Sequence, residues 1–335
     1  MSRPLIDVQG LSVHYHLKGG VFGAPVVLRA VDRVSLEIPR GSFFGLVGES
    51  GSGKTTLGRA ILKAAPISEG KIEYDDGEGR HDVGAMSNKG EIRDFRRRAQ
   101  LIFQDPYAAL SPRMTVRDII AEPLEVMGIT KSRAETDARV REIAARCRLN
   151  VEHLRRFPHA FSGGQRQRIS IARALAPTPR FLVADESVAA LDVSIQADIL
   201  NLLKGLQRDL GLTFLFISHD LSVVAHVCDH VAVMYLGRLV ETAPTRALFA
   251  RPLHPYTRAL LSAIPSLDPD DRGRAWKLQG EIPSPADPPS GCRFRTRCPF
   301  AKERCAAEEP ALRPMASGHE VACHYAEELE GAVPA

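Results

Sequence analysis

Eight residues, Gly48-Glu49-Ser50-Gly51-Ser52-Gly53-Lys54-Thr55, fit G-x-x-x-x-G-K-[ST] at every fixed position. Glycines at this spacing let successive backbone N–H groups turn inward around phosphate oxygens. In such a loop Lys54 reaches the β- and γ-phosphates of a nucleoside triphosphate and Thr55 binds Mg²⁺, with Thr56 completing the nucleotide-binding stretch. Far along the chain a second run, "FSGGQRQRIS", also has the composition of a phosphate reader: Ser162, Gly163, Gly164 and Gln165 stand before a helix, whose first N–H groups lie at its positive end. One bound nucleotide does not need both. Two subunits packed head to tail would use both, each nucleotide held by the Lys54 loop of one and the SGGQ of the other.

Three further positions suit phosphate chemistry. "FLVADE" places Asp185 and Glu186 at the end of an apolar run, where Asp185 suits the Mg²⁺ shell and Glu186 can polarise a water against the γ-phosphate. His219, in "LFISHD", ends a second such run and suits a γ-phosphate sensor. Gln104, in "IFQDP", is a neutral amide able to touch both Mg²⁺ and the attacking water. Alone, the acidic pair reads equally well as a turn cap, the histidine as structural and the glutamine as nothing in particular.

Elements that could position these residues are visible in the pattern. "LIDVQGLSVHYHL" alternates as an opening strand, and "SLEIPRGSFFGLVG" predicts a strand pair turning at Pro39-Arg40-Gly41 and running into the glycine loop. "TTLGRAILKAA" is helical up to Pro66, giving the strand–loop–helix order that a phosphate loop requires. Residues 116–156 are helical in pattern and predict an insertion. "RFLVADE" and "LTFLFISHD" are continuous apolar runs of buried-strand type around the helix "SIQADILNLLKGLQRDL". The repetition predicts an α/β fold with a mostly parallel sheet. From Pro265 the chain turns proline-rich and charged and reads as an irregular extension.

Taken in order, these motifs closely resemble the nucleotide-binding subunit of an ATP-binding-cassette transporter over about residues 5–250. The resemblance implies a P-loop cassette that hydrolyses ATP with Mg²⁺. It implies Glu186 as general base, Tyr15 stacking on adenine, Asp192 in "AALD" crossing the dimer interface, and the segment around Gln104 as a lever toward the membrane subunit. It also implies that coupling helices dock on the helical insertion. "FSGGQRQRISIARAL", "LDVSIQADILNLL", "HPYTRALLSAIP" and the cysteine tail narrow the resemblance to the peptide-importer branch, which takes dipeptides, oligopeptides or nickel. "HLKGGVFG" and "LRAVDRVSLEI" lean toward the second of its two unequal ATPases. Phe161 before SGGQ, Ser187 after Glu186 and Ala189 depart from the commonest pattern without removing a catalytic group.

The implied divisions are 1–91 (opening strands and phosphate loop), 92–160 (glutamine loop and helical part), 161–264 (signature, acidic strand end and histidine) and 265–335 (extension). The implied partners are two permeases, a second ATP-binding subunit and, indirectly, a substrate-binding protein.

Cys292, Cys298, Cys305 and Cys323 are spaced C-x₅-C-x₆-C-x₁₇-C, neither a zinc ribbon nor a ferredoxin run. Spacing alone leaves zinc, an iron–sulfur cluster and unligated thiols open, with His319 or His324 able to replace a ligand. The branch resemblance implies a structural [4Fe–4S] cluster. Cys147 and Cys228 stand apart and read as buried small hydrophobes.

The net charge of +4 is mild, and the basic runs "RDFRRR" and "RRFPHAFSGGQRQR" lack the interleaved aromatics of a nucleic-acid surface. A soluble cassette acting on DNA or ribosomes would be expected to carry a second cassette or a long coiled-coil insertion, and neither pattern is visible. No apolar run is long enough to span a bilayer, and "MSRPLIDVQG" lacks the apolar core of a secretory signal, so the expected place is the cytoplasmic face of the cell membrane.

Overall fold

The computed structural model describes residues 3–17, 26–264, 276, 278–316 and 318–329. Most of "HLKGGVFG" and the stretch from 265 to 275 therefore lie outside the described residues. The chain divides into two compact units. The first comprises Met1–Leu5, Ile38–Phe43 and Ala85–Ile217, and the second Ile6–Glu37, Phe44–Gly84 and Ser218–Ala335.

Among the described residues the strands are β1 (Pro4–Leu17), β2 (Val26–Pro39), β3 (Phe43–Val47), β4 (Glu69–Asp75), β5 (Arg80–Asp82), β6 (Ala99–Ile102), β7 (Phe181–Asp185), β8 (Thr213–Ser218), β9 (His230–Tyr235), β10 (Arg238–Pro244), β11 (Arg313–Ala316) and β12 (His319–Val321). The helices are α1 (Lys54–Ile61), α2 (Lys89–Arg98), α3 (Pro106–Ala109), α4 (Val116–Val126), α5 (Arg133–Arg146), α6 (Gly163–Leu175), α7 (Val193–Leu210), α8 (Leu221–Val227), α9 (Thr245–Ala250), α10 (Pro255–Ser262) and α11 (Glu303–Ala307).

In the first unit β6, β7 and β8 pair in parallel, with Ala99 opposite Phe181 and Phe181 opposite Thr213. Every residue of β7 and β8 is buried, which is why their sequences run apolar instead of alternating. Phe43 stacks on Phe214 with ring centroids 4.6 Å apart. The α7 helix buries Ile199, Leu202, Leu203 and Leu206, one stripe at three- and four-residue spacing. The expected helical insertion consists of α4 and α5 followed by two short 3₁₀ turns. Thr115 and Ser132 start its helices, each hydroxyl accepting a backbone N–H from three residues on.

In the second unit β2, β1, β4 and β5 lie side by side in that order, with β1 and β4 antiparallel, as are β4 and β5. Separately, β3 pairs in parallel with β9, while β9–β10, β10–β12 and β11–β12 are antiparallel. The extension is thus less irregular than its composition suggests: β11 and β12 add a strand pair to β10. One carboxylate explains the docking. Glu241 of β10 is fully buried and accepts the N–H groups of Leu253 (2.7 Å) and His254 (2.9 Å) and pairs with His319 Nε2 at 2.8 Å. A buried carboxylate needs such partners, and here they come from two separate stretches of chain. None of the described helices is long and apolar enough to cross a membrane.

Candidate functional site

The phosphate loop lies in the second unit. The buried strand β3 delivers the chain to Gly48, and α1 begins at Lys54. Gly48 and Gly53 have φ of 149° and 104°, and a Cβ at either would come within 2.1 Å of a backbone oxygen, that of Met234 or Ala30. Only glycine fits both constraints. Lys54 is buried, and its Nζ donates to the carbonyls of Gly48 (2.8 Å) and Glu49 (2.9 Å) and to Ser52 Oγ (3.3 Å). The amine is therefore held across the mouth of its own loop, with Ser50 and Gly51 exposed and Thr55 and Thr56 half-buried. Tyr15 is half-buried near the end of β1, and His219 is exposed just after β8.

Glu49 is held from outside the loop. Its N–H donates to Tyr256 Oη at 2.8 Å, and its carboxylate takes both terminal nitrogens of Arg297, at 2.6 and 3.0 Å. Tyr256, Tyr235 and Phe294 pack ring against ring at 4.8–5.4 Å beneath this contact. The bonds to Glu49 raise the Arg297 pKa further, against the effect of burial. Nearby, Arg293 bonds Asp32 and the Leu236 carbonyl, and Arg238 pairs with Asp32 at 3.3 Å and Glu309 at 2.8 Å. Burial favours the neutral form of Asp32, but Arg238 and Arg293 outweigh it and hold the carboxyl below its usual range.

The acidic strand end lies in the first unit. Asp185, the last residue of β7, is buried, and Glu186 follows half-buried. Gln104 Nε2 donates to Glu186 Oε2 at 2.8 Å, so the structure brings these two predicted residues together. Glu186 has φ of 46°, a left-handed conformation unusual for a side chain of this kind, with its N–H bonded to the Ile217 carbonyl at 3.0 Å. Such backbones cost about 1–3 kcal/mol and gather at working sites.

Ser162 caps α6 reciprocally with Gln165: the Ser162 hydroxyl accepts the Gln165 N–H at 3.4 Å, and the Gln165 carbonyl oxygen accepts the Ser162 N–H at 3.1 Å. Gly164 is buried against α7, where a Cβ would lie 2.4 Å from Ile195 Cγ2, whereas one at Gly163 would meet nothing nearer than 3.6 Å. Ser162, Gln165 and Asp192 are exposed, and beside Asp192 stands Val193, 83% exposed.

All four tail cysteines line one cavity of about 20 Å³, together with His254, His324 and Tyr325. Burial pushes the thiols of Cys292 and Cys298 up to about 11 and 12, and Cys323 also rises. Thiols this hard to ionise stay protonated unless a cationic centre binds them. Among the described residues no group of three or more His, Cys, Asp or Glu side chains could hold a metal ion. His319, expected as a substitute ligand, is committed to Glu241 and does not line this cavity; His324 does, with Nε2 donating to the Glu308 carbonyl at 3.0 Å. Cys147 and Cys228 are buried, as expected.

Sequence reasoning missed Tyr256, Arg297, Arg293 and Asp32. Tyr256 lay inside "HPYTRALLSAIP", read only as a branch marker. Its signal is the histidine-proline pair before it: His254 Nδ1 accepts the Tyr256 N–H at 3.0 Å and Pro255 opens α10, aiming the tyrosine.

Residues 31–189 match the family model described as ABC transporter, and residues 240–305 match that described as oligopeptide/dipeptide transporter, C-terminal region. A Brucella ovis protein named as a peptide import ATP-binding protein is 53% identical, over 96% of this chain and 97% of its own length. The oligopeptide transport ATP-binding protein YkfD of Bacillus subtilis is 49% identical over 96% and 95%. The di/tripeptide transport ATP-binding protein DppF of Pseudomonas aeruginosa is 45% identical over 98% and 99%. Among solved structures, the dimeric post-hydrolysis state of the ATP-binding cassette MJ0796, bound to ADP and Pi, superposes with a TM-score of 0.63 at 26% identity. That superposition covers 72% of this chain and 99% of the other.

Proposed function

The chain belongs to the ABC transporter family of ATPases, and from that premise we propose that it hydrolyses ATP to energise the import of dipeptides or oligopeptides by membrane permeases. The observation that carries the peptide reading is the C-terminal region. Residues 240–305 match the oligopeptide/dipeptide transporter model, and within them Tyr256 and Arg297 bond the phosphate loop. Relatives at 45–53% identity are named for peptides, which disfavours nickel.

The residues divide the work as follows. Lys54 and the N–H groups of residues 48–56 hold the triphosphate, with Tyr15 against the adenine. Thr55, Asp185 and Gln104 are the oxygen donors that would hold Mg²⁺, which when bound would neutralise charge developing on the phosphates. Glu186 takes the proton of the attacking water, its orientation fixed by Gln104, and His219 bonds the γ-phosphate. Ser162 to Gln165 complete the site of a partner ATPase, with Asp192 at the shared face. The exposure of Ser162, Gln165, Asp192 and Val193 supports that face being covered in the working dimer. Closure on ATP drives the permeases to switch access, and hydrolysis with product release reopens the dimer.

The resemblance to the peptide-importer branch supports a second, unequal subunit as the partner ATPase. Two permeases and, indirectly, an external substrate-binding protein complete the assembly, with this chain on the cytoplasmic face of the membrane. A groove of about 450 Å³ lined by Phe103, Pro123, Val126 and Met127, with Val126 76% exposed, suits a permease coupling helix. The resemblance to the peptide-importer branch supports a structural [4Fe–4S] cluster on the four cysteines, which line one cavity but, as placed, form no group that could hold a metal ion. The functional divisions are 1–91, 92–160, 161–264 and 265–335.

Purification of the tagged chain from native membranes in mild detergent tests this. Recovery of two multi-span permeases and a second cassette ATPase, with peptide uptake on reconstitution, is expected. Recovery with ribosomes or nucleic acid and no permease would overturn transport while leaving the ATPase. Stoichiometric zinc without iron in an anaerobic preparation would overturn the cluster.

A further inference from the structure

We propose that Tyr256 and Arg297 are positioning residues for ATP binding: by fixing Glu49 they hold the phosphate loop in the shape that receives the nucleotide. This rests on residues 48–56 being the nucleotide loop.

Every polar group of Glu49 is committed. Its carbonyl accepts from Lys54 Nζ at 2.9 Å, its N–H donates to Tyr256 Oη at 2.8 Å, and its carboxylate receives two nitrogens of Arg297. Two of these three attachments come from the C-terminal region. The partners are themselves immobile. Tyr256 is fully buried, and its N–H is held by the His254 ring. The Arg297 side chain is 5% exposed, with its guanidinium 5.8 Å from the Tyr235 ring centre. Its backbone N–H bonds the Phe294 carbonyl at 3.0 Å in the turn between Cys292 and Cys298, and Cys292 N–H bonds the Cys305 carbonyl at 2.8 Å.

A two-pronged guanidinium–carboxylate pair fixes both distance and orientation, which a single bond does not. Glycines at Gly48, Gly51 and Gly53 give the loop the φ angles it needs and also make it free to leave them. An anchor at the second residue of the loop removes that freedom before the ligand arrives, so less ordering is left for binding to supply. The tail therefore acts on affinity for ATP. The bonds from Tyr256 and Arg297 end on Glu49, so the effect should fall on binding, with the turnover number standing apart from it.

The assembled transporter in lipid nanodiscs tests this by ATPase kinetics and by titration with a fluorescent ATP analogue. Arg297→Met should raise KM for ATP and the analogue's Kd at least about tenfold, the size expected for losing hydrogen bonds to a charged partner that is itself part-exposed. The turnover number should stay within about twofold, the pattern of lost binding, not lost chemistry. Arg297→Lys should recover part of the loss, and Tyr256→Phe should raise KM about threefold through one hydrogen bond. Arg297→Met combined with Glu49→Gln should be no worse than the worse single variant, because both remove one shared interaction. An unchanged KM in Arg297→Met, a fall in turnover at unchanged KM, or additive losses in the double variant would each overturn the proposal. Should Arg297→Met fail to assemble, Tyr256→Phe and Glu49→Gln decide by the same KM criterion. Lys54→Ala is the control: if it binds the analogue normally, the loop assignment has failed and not the tail's role.

Discussion

The two units hold their working residues in opposite ways. In the first, the groups that matter are tied to one another or stand open: Ser162 and Gln165 cap one another, Gln104 meets Glu186, and Asp192 is exposed. In the second, the phosphate loop is clasped by a residue 248 positions away. The contrast fits a division in which one unit presents chemistry to partners and the other prepares a binding loop in advance. A surface that must open and close with a partner gains nothing from internal fastening, whereas a glycine-rich loop that must already have its shape does.

The largest effect that would test this contrast is at Glu186. Glu186→Gln should lower ATP turnover at least about 100-fold while ATP remains bound, since removal of a general base costs that much. Retention of most activity in single-turnover assays would remove the first unit's claim to the chemistry. Next comes the packing around Tyr256. Burial holds the His254 ring at about 4, against an ordinary 6.5. The unfolded chain therefore takes up a proton as pH falls through about 6.5, and the folded chain does so only near 4. Stability from this site is full above that window and is lost as pH falls across it, by on the order of 3 kcal/mol. Thermal melts from pH 7 to 4 should show the loss in the wild type and a flatter profile in His254→Asn, which keeps a cap acceptor. A smaller effect separates two adjacent glycines. Gly164→Ala drives a methyl into Ile195 and should cost about 1–3 kcal/mol in denaturant titration. Gly163→Ala places its methyl in ordinary van der Waals contact with Leu191, 3.6 Å away, and should be close to neutral. Equal costs at both would mean that the α6–α7 contact does not fix the signature turn.

How far the sequence could be read follows from the range of the interactions. The phosphate loop, the signature cap and the acidic strand end are local patterns, with their residue types and the elements that carry them inside one short window. The buried strands β7 and β8 were legible for the same reason, since continuous apolar runs bounded by turns have few other uses. The left-handed backbone at Glu186 leaves no mark, because a glutamate spells nothing about its φ. Within the extension, β11 and β12 were not legible because they are only four and three residues long, and they acquire strand character by pairing with one another and, for β12, with β10. Arg297 was invisible for a plainer reason: an arginine in a charged tail has many possible partners, and no periodicity points to Glu49.

The clasp on Glu49 has a consequence in time. The loop is made early in synthesis, and its anchor arrives 248 residues later. At roughly 5–20 residues per second, the ribosome takes on the order of 10–50 s to cover that distance. During that interval the nascent chain carries the loop without Arg297 to hold it. An unfinished subunit is thereby a poor competitor for cellular ATP, and a chain cut short before residue 297 would lack the anchor however well its cassette had folded.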